Sequence, residues 1–324
     1  MSIVRWGIIG TGKIANKFAQ AVQNADGAKL VAVASRTEES AKAFAEKYHI
    51  KNVFVGYEAL ADFDGVDAIY IGLPHTYHPV YAKLFMNAGK HVLSEKPICI
   101  NTRQLEELQK IQKEKNVYLM EAMWTRFLPA IIHLKKLLNE GIIGQVLEIT
   151  ADFCYRQEDK VSGSVFKHQY AGGSLLDVGI YGLNFASIIL GDNVQSVQTT
   201  ATVADGVDEQ THILLHYSDG AIAHITSAIT LNKPEDAYVY GTKGHIRVPH
   251  FYSASEFEVV TAAGTQTYYF PYKGNGFEEE IEECNRCIAA GITQSSIMPL
   301  TQSAVILQLM DEARRQIGLT YDAD

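Results

Sequence analysis

The feature that most constrains the fold is a short glycine-rich turn near the start of the chain. Residues 10–15 read GTGKIA, the GxGxxA form of the dinucleotide-binding fingerprint. The turn follows an apolar run at residues 3–9 and precedes residues 13–22, whose apolar positions recur at helical spacing. Because a glycine turn between a buried strand and a helix is where doubly wound domains hold a pyrophosphate, this context predicts a dinucleotide-binding domain.

Each position of this turn has its own predicted role. Gly10 allows the tight turn, Gly12 lets the main chain approach the phosphates, and Ala15 permits close packing of helix on strand. The alternative is a tight turn that binds nothing. The predicted phosphate contacts are Gly10, Thr11, Gly12, Lys13 and Ile14.

Strand-like and helix-like segments alternate up to residue 121, which is typical of parallel βαβ units. Beyond residue 121, runs rich in β-formers follow one another across short turns, as in an antiparallel sheet. The predicted fold class is α/β: a doubly wound Rossmann domain at residues 1–121, then an α+β domain at residues 122–324 with a mainly antiparallel open sheet. An alternative within this prediction is that the last helices pack back on the first domain.

The composition is that of an acidic globular protein. The chain has 324 residues, is 47% hydrophobic and carries a formal net charge of −9. An acidic balance without a basic block argues against nucleic acid and anionic membranes as partners. The N-terminal segment does not resemble a signal peptide, no run of 18 apolar residues occurs, and four cysteines do not suggest a disulfide framework. We therefore expect a cytoplasmic protein with no membrane attachment.

The end of the second predicted strand discriminates between the two nicotinamide dinucleotides. About 20 residues beyond the glycine turn the chain reads Ser35-Arg36-Thr37, with no acidic side chain to bind a ribose 2′-hydroxyl. Arg36 can bind a 2′-phosphate instead, helped by the two hydroxyl groups. NADP is therefore the predicted cofactor. NAD remains the alternative, with Arg36 stacking on the adenine.

Two further segments resemble the Gfo/Idh/MocA family of oxidoreductases. Residues 88–97 read AGKHVLSEKP, similar to the family's AGKHVxxEKP segment, and residues 172–181 read GGSLLDVGIY, similar to its GGGxLxDxGxH segment. Residues 67–71, with Pro74 and His78, resemble the family's fourth strand and the loop after it. The resemblance covers essentially the whole chain.

Further cofactor contacts are expected at the carboxyl edge of the first sheet, where loops after parallel strands hold cofactors and substrates, and His75 and His78 are expected to be neighbours of the nicotinamide or the substrate. A His-x-x-His spacing there also suggests a metal, but no third group of ligands accompanies it, so no metal is predicted. The implied cofactor contacts are Leu73, Pro74, His75, His78, Glu95 and Lys96.

Tyr181 departs from the family pattern, which most often has His at this position. Together with residues 121–129 (EAMWTRFLP), it resembles the subgroup of dimeric trans-dihydrodiol dehydrogenases and NADP-dependent D-xylose dehydrogenases. The subgroup implies NADP, a homodimer joined through the C-terminal sheet, and a Lys–Tyr pair at the reacting hydroxyl, here Lys96 and Tyr181.

These residue types suit alcohol oxidation, which needs a hydride acceptor and a group that takes the hydroxyl proton. A tyrosine with a pKa of about 10 is a poor base near neutrality, and a neighbouring ammonium lowers that pKa. We favour Tyr181 as acid/base and Lys96 as the group that polarises the hydroxyl, and the residues leave the reverse assignment open.

Asp177 is the third predicted catalytic residue. It lies four residues before Tyr181, so on a helix the two share a face. The resemblance makes it a substrate-binding or lysine-orienting carboxylate, whereas Ser174-Leu175-Leu176-Asp177 also reads as a capping box. Arg126 has a structural alternative too, as the partner of a carboxylate. The candidate substrate contacts are Trp124, Arg126, Tyr155, Asp177 and Tyr181.

A late acidic run, residues 278–283, surrounds Ile281 and is expected to be a solvated helix face. Cys284 and Cys287 have redox spacing, but inside a late helix they are interpreted as ordinary thiols.

The predicted function is hydride transfer between NADP and a hydroxyl of a sugar-like or cyclic diol substrate. One alternative is an NAD-dependent glycoside hydrolase of the same family, which returns its hydride in each cycle. The other is a noncatalytic NADP-sensing regulator.

Overall fold

A computed structural model describes residues 3–159 and 163–324 of the chain. The chain divides into two compact units. The first contains Met1–Trp124 and Lys273–Ala304, and the second contains Thr125–Tyr272 and Val305–Asp324.

Six parallel strands form the sheet of the first unit. Their order, β3-β2-β1-β4-β5-β6, is the doubly wound order that reverses between β1 and β4. Helices on both faces bury the central strands, which is why β4 is apolar at every position. The predicted Rossmann domain is confirmed. The strands are β1 (Val4–Ile9), β2 (Ala28–Ser35), β3 (Asn52–Val55), β4 (Ala68–Ile71), β5 (His91–Glu95) and β6 (Leu119–Ala122).

Local capping sets the ends of the helices in this unit. The Thr37 hydroxyl accepts the N–H of Ser40 and caps α2, and Asn101 caps α5. Thr37, a predicted cofactor contact, therefore also has a structural role. The helices are α1 (Lys13–Asn24), α2 (Glu38–Tyr48), α3 (Glu58–Ala61), α4 (His78–Asn87), α5 (Thr102–Lys115) and α8 (Glu278–Ala289).

An eight-stranded sheet forms the second unit. Its order is β14-β13-β12-β11-β7-β10-β9-β8, and all neighbours are antiparallel except β7 and β10. The predicted mainly antiparallel sheet is confirmed. The strands are β7 (Val146–Cys154), β8 (Val194–Ala204), β9 (Val207–Tyr217), β10 (Ile222–Ala228), β11 (Ala237–Gly241), β12 (Gly244–Val248), β13 (Glu256–Thr261) and β14 (Gly264–Tyr269).

The remaining α-helices of the described residues are α6 (Pro129–Asn139), α7 (Ile180–Leu190) and α9 (Leu300–Ile317). A Cβ on Gly182 of α7 would lie 2.5 Å from the Ile225 side chain, so α7 packs closely on β10. Within the described residues, one helical stretch, His168–Leu190, has the length and hydropathy of a membrane span. However, 83% of it is buried inside the protein, as in the core helix of a globular domain.

The acidic run at the start of α8 is not a solvated face, and that prediction is wrong. Glu278 and Glu280 have no exposed surface, and Glu283 is 8% exposed. The main chain stabilises one of these buried carboxylates, because Glu278 accepts the N–H of Gly276 at 2.9 Å. Arg286 and Ser295 bind Glu283 at 2.6–2.8 Å.

Candidate active site

The glycine turn joins β1 to α1 at the carboxyl edge of the parallel sheet. Gly10 has φ +92°, and a Cβ there would lie 2.4 Å from the carbonyl oxygen of Gly72, so only glycine fits. A Cβ on Gly12 would meet no atom within 4 Å. Gly12 is also the N-cap of α1, and no side chain of the described residues caps it. The first-turn N–H groups are therefore available to an anion.

The end of β2 lies beside this turn. The Ser35 hydroxyl is 3.4 Å from that of Thr11, and Ser35 is buried while Arg36 is exposed. Glu38, the first carboxylate after β2, is paired with Lys42 along α2 at 2.7 Å. The exposed charge that directly follows the strand is therefore a guanidinium group.

His78 joins the loop after β4 to the segment after β5. Its Nε2 lies 2.7 Å from the Leu73 carbonyl oxygen, and its Nδ1 lies 2.7 Å from that of Pro97. Burial lowers the pKa of His78 to about 4, and His75, whose ring is 5.9 Å away, acts in the same direction. With both nitrogens facing carbonyl oxygens, this ring positions the main chain around Lys96.

Glu95 is fixed at the end of β5 by two donors. Its Oε1 accepts the hydroxyl of Tyr70 at 2.5 Å, and its Oε2 accepts the N–H of Lys96 at 3.2 Å. Burial raises the pKa of Glu95, while Tyr70 and Lys96 act in the opposite direction. The main chain of Lys96 is thereby held at the same edge of the sheet as the glycine turn.

Trp124 also belongs to the first unit, where its buried ring lies 5.1 Å from that of Phe277. The other predicted substrate residues belong to the second unit.

In the second unit, a buried carboxylate organises the segment that carries Asp177 and Tyr181. Oδ2 of Asp208 accepts the hydroxyl of Ser174 and the N–H of Leu175, both at 2.7 Å. It also accepts the Thr211 hydroxyl at 2.6 Å. Asp208 is thus the group that binds the start of this helical segment.

The glycines before Ser174 make room for this carboxylate. Gly173 has φ +115°, and a Cβ there would lie 2.0 Å from Oδ1 of Asp208. A Cβ on Gly172 would lie 2.4 Å from the Val165 carbonyl oxygen. The paired glycines of the motif are therefore required by close approach and, at Gly173, by the main-chain conformation.

Asp177 lies in a π-helical turn, Leu175–Gly179, that leads directly into α7. The capping-box alternative is not formed, because the Ser174 hydroxyl binds Asp208 and does not cap the turn. Oδ2 of Asp177 instead accepts the hydroxyl of Tyr155 at 2.8 Å. Burial and Asp177 both raise the pKa of Tyr155, so this hydroxyl keeps its proton.

Aromatic rings surround Tyr181. Its ring centroid lies 5.4 Å from Phe153 and 5.8 Å from Tyr252, and those two rings stack at 4.1 Å. Sequence reasoning missed both neighbours. Phe153 was detectable, because it lies near the end of β7, two residues before Tyr155, and an extended chain places such a pair on the same face. Tyr252, in a short 3-10 turn after β12, carries no such signal.

Arg126 is directed to α7. Its Nε donates to the Asn184 side chain at 2.8 Å, and its Nη2 donates to the Ser187 hydroxyl at 3.1 Å. These bonds tie the turn before α6 to the helix that carries Tyr181.

The chain matches two family models. Residues 4–123 match the oxidoreductase family with an NAD-binding Rossmann fold, and residues 131–247 match the GFO/IDH/MocA C-terminal domain.

Two relatives are named trans-1,2-dihydrobenzene-1,2-diol dehydrogenase. The Danio rerio protein is 36% identical to this chain and the Homo sapiens protein 32% identical, each alignment covering 99% of both chains.

Among solved structures, KijD10, a 3-ketoreductase from Actinomadura kijaniata in complex with NADP and TDP-benzene, aligns with a TM-score of 0.90. It has 24% identity over 98% of each chain. The aldose-aldose oxidoreductase from Caulobacter crescentus, complexed with glycerol, aligns with a TM-score of 0.90, at 23% identity over 97% of each chain. These two likenesses concern the fold.

Proposed function

The chain belongs to the Gfo/Idh/MocA family of oxidoreductases, and from this premise we propose that it transfers a hydride between NADP and a hydroxyl of a cyclic diol or sugar-like substrate. The observation that carries the proposal is the arrangement around Tyr181, a phenol set among aromatic rings with the Tyr155–Asp177 pair in the same unit. The relatives named dehydrogenases do not favour the glycoside hydrolase or the sensor.

The first unit fits a dinucleotide with a 2′-phosphate. The uncapped start of α1 and the open space at Gly12 suit a pyrophosphate, and the exposed Arg36 suits the additional phosphate. We expect Arg36→Ser to weaken NADPH binding by 10-fold or more and to change NADH binding less than 3-fold, by fluorescence titration. Equal losses for both cofactors would contradict the preference for NADP.

Bound oxidised nicotinamide supplies the hydride acceptor, and the protein supplies the proton chemistry. Lys96, on a main chain held by Glu95, directs its ammonium to the substrate hydroxyl and polarises it. Tyr181 takes the hydroxyl proton at its phenolic oxygen. In the apolar surroundings of Phe153 and Tyr252 a phenolate needs a cation to stabilise it, and we assign that role to Lys96 in the proposed mechanism.

Asp177 binds a second hydroxyl of the substrate, oriented by the bond from Tyr155. The stacked Phe153 and Tyr252 rings offer a flat apolar surface to the C–H face of a ring. A vicinal diol on a six-membered ring presents both features at once. Trp124 and Arg126 stay candidates for the remaining contacts.

Tyr181→Phe tests the proton assignment. We expect kcat to fall by about 10²- to 10⁴-fold with little change in KM, because the ring stays and the proton acceptor is lost. Tyr268→Phe, on the edge strand β14, is the matched control and should keep wild-type kcat. If Tyr181→Phe keeps more than a tenth of kcat while Lys96→Met is inactive, Lys96 is the proton acceptor.

We also propose that the open face of the second sheet joins two copies of the chain. Ile225 of β10 faces α7, so His224 and Thr226 beside it face the other way. On that face Tyr238 and Tyr240 stack at 5.9 Å, and a shallow groove of about 320 Å³ runs across β8, β9 and β10.

Light scattering tests this dimer. Thr226→Arg should halve the mass in solution, and Asp205→Arg, at the turn after β8, should leave it unchanged. A wild-type protein that is monomeric at micromolar concentration would contradict the proposal. We place the protein in the cytoplasm, since all four cysteines are buried thiols.

A further inference from the structure

Three tyrosine rings converge at the carboxyl edge of the first unit's sheet. Tyr57 follows β3, Tyr77 ends the turn after β4, and Tyr81 lies in the first turn of α4. The rings of Tyr57 and Tyr81 meet edge to face at 4.6 Å, and those of Tyr77 and Tyr81 are 6.3 Å apart. We call these three residues the tyrosine cluster.

The cluster has a buried base and an exposed tip. Tyr57 is 6% exposed, whereas Tyr77 is 40% exposed, and Val80 next to Tyr81 is 54% exposed. Burial raises the pKa of Tyr57 and of Tyr81, so both remain neutral phenols at physiological pH. The exposed Tyr77 ring lies beside the ring of Tyr81, which itself packs on buried Tyr57, and such a ring at the surface is suited to stacking against a flat ligand.

The cluster adjoins the predicted cofactor contacts. The guanidinium of Arg36 acts on the Tyr57 hydroxyl, lowering its pKa against the larger effect of burial. The N–H of Gly56, just before Tyr57, donates to the Ser35 carbonyl oxygen at 2.9 Å. The N–H of Tyr77 donates to the Pro74 carbonyl oxygen, also at 2.9 Å.

The loops after β2, β3 and β4 therefore meet beside the glycine turn that follows β1. In open parallel sheets, ligands bind in the crevice outside the carboxyl ends of the strands, where the strand order reverses. A dinucleotide with its pyrophosphate on α1 and its 2′-phosphate on Arg36 carries its adenine close to Arg36. The tyrosine cluster is the aromatic surface available there.

We propose that Tyr77 is a cofactor-binding residue whose ring stacks on the adenine of NADP, with Tyr57 and Tyr81 as its support. The inference rests on the proposed function and adds to it the residue that holds the base. Glu58, the nearby carboxylate, accepts the N–H of Tyr57 at 3.1 Å and is thereby directed to the main chain.

Stacking and phosphate binding predict different losses of affinity. Aromatic stacking on a base is common to NADPH and NADH, so Tyr77→Ala should weaken both by about 5- to 100-fold. Arg36→Ser should weaken NADPH selectively. Tyr77→Phe keeps the ring and should bind both cofactors within about 2-fold of wild type. Reduced nicotinamide mononucleotide, which has no adenine, should bind equally well to Tyr77→Ala and to wild type.

Fluorescence titration with NADPH, NADH and the mononucleotide tests this inference on the full-length protein, and calorimetry with 2′,5′-ADP tests the adenosine half alone. Tyr269→Ala, which removes an exposed tyrosine from β14, is the control and should change no affinity. A Tyr77→Ala protein that binds NADPH and 2′,5′-ADP as wild type does would overturn the role of Tyr77 and leave the proposed function standing. A wild-type protein that binds neither NADPH nor NADH would overturn both.

Discussion

Asp208→Ala removes the group that holds the start of the segment carrying Tyr181. Three donors bind one oxygen of this buried carboxylate at 2.6–2.7 Å: Ser174, Leu175 and Thr211. Alanine deletes the acceptor of all three. The variant therefore measures how much one side chain on β9 contributes to the position of a helical segment more than thirty residues earlier in the chain.

The expected loss in unfolding free energy depends on which other acceptor each of the three donors can bind. The Ser174 hydroxyl lies 3.0 Å from the Ser227 hydroxyl and 3.2 Å from its carbonyl oxygen, so it keeps an acceptor. The N–H of Leu175 and the hydroxyl of Thr211 lose theirs, at about 1–3 kcal/mol for each buried donor left unbonded. Alanine also removes a buried charge whose desolvation is unfavourable, and this offsets part of the loss in unfolding free energy. We expect a loss of about 2–4 kcal/mol in unfolding free energy, or roughly 5–15 °C in Tm.

Asp208→Asn is the matched control. Asparagine keeps an amide oxygen for the N–H of Leu175, but its NH2 group replaces Oδ1, which has no hydrogen-bond partner among the described residues, so the NH2 group becomes a buried donor without a bond. Burial raises the pKa of Asp208, so losing the charge is favourable in itself. We expect Asp208→Asn to cost about 1–2 kcal/mol, less than Asp208→Ala, because the loss of the buried charge offsets part of the cost of the unbonded NH2 group.

Enzyme kinetics distinguish a role of Asp208 in positioning Tyr181 from an effect on stability alone. At a temperature where both variants are folded, Asp208→Ala should lower kcat, because Leu175 and Tyr181 lie in one continuous helical segment. Its KM for NADP⁺ should not change, since the proposed cofactor contacts lie in the other unit. Chemical denaturation and steady-state kinetics measure both effects. A loss below about 0.5 kcal/mol in Asp208→Ala, or equal losses in Asp208→Asn and Asp208→Ala, would refute the reasoning.

Two further predictions concern stability. Gly173→Ala should lower the unfolding free energy by more than about 2 kcal/mol, because φ is +115° and the new Cβ meets Asp208 at 2.0 Å. Gly89→Ala, at φ +76° after α4 with no atom within 4 Å, should cost about 1–2 kcal/mol. Thermal denaturation gives the ranking, and the reverse order would contradict the close approach. Glu280→Gln should stabilise the protein at neutral pH, because Glu280 is fully buried, neither of its oxygens has a partner among the described residues, and burial raises its pKa. Below the carboxyl pKa of the unfolded chain, near 4.5, Glu280 is protonated in both the folded and the unfolded state. Above that pH the unfolded chain loses the proton first, so the unfolding free energy of wild type falls relative to that of Glu280→Gln by up to about 1.4 kcal/mol per pH unit. The fall ends once the pH exceeds the raised pKa of Glu280 in the folded state. A constant difference from pH 4 to pH 8 would mean that Glu280 titrates normally.

The sequence indicated the parts of the site that depend on local main-chain geometry. Gly10 and Gly12 were readable because a tight turn before a helix needs glycine whatever surrounds it. The strand order β3-β2-β1-β4-β5-β6 was not readable, since nothing along the chain records which parallel strands are neighbours.

Sequence reasoning did not identify side chains that bind residues far away along the chain. Asp208 lies in an ordinary strand pattern, and only the fold brings it to Ser174 and Leu175. The acidic run was misread because a row of glutamates is usually solvated, whereas here main-chain N–H groups and Arg286 bind two of the buried carboxylates. Nothing in the sequence indicates that Glu280 is buried without a hydrogen-bond partner among the described residues.

The most direct test of the proposed function is the reduction of NADP⁺, followed by NADPH absorbance, with a panel of trans-dihydrodiols, inositols and aldoses. NAD⁺ is run in parallel, and Lys96→Met is the blank. We predict steady reduction of NADP⁺ by at least one diol or sugar, slower reduction of NAD⁺, and none in Lys96→Met. A folded protein that binds NADPH but reduces NADP⁺ with no member of the panel, or at the same rate after Lys96→Met, would contradict it.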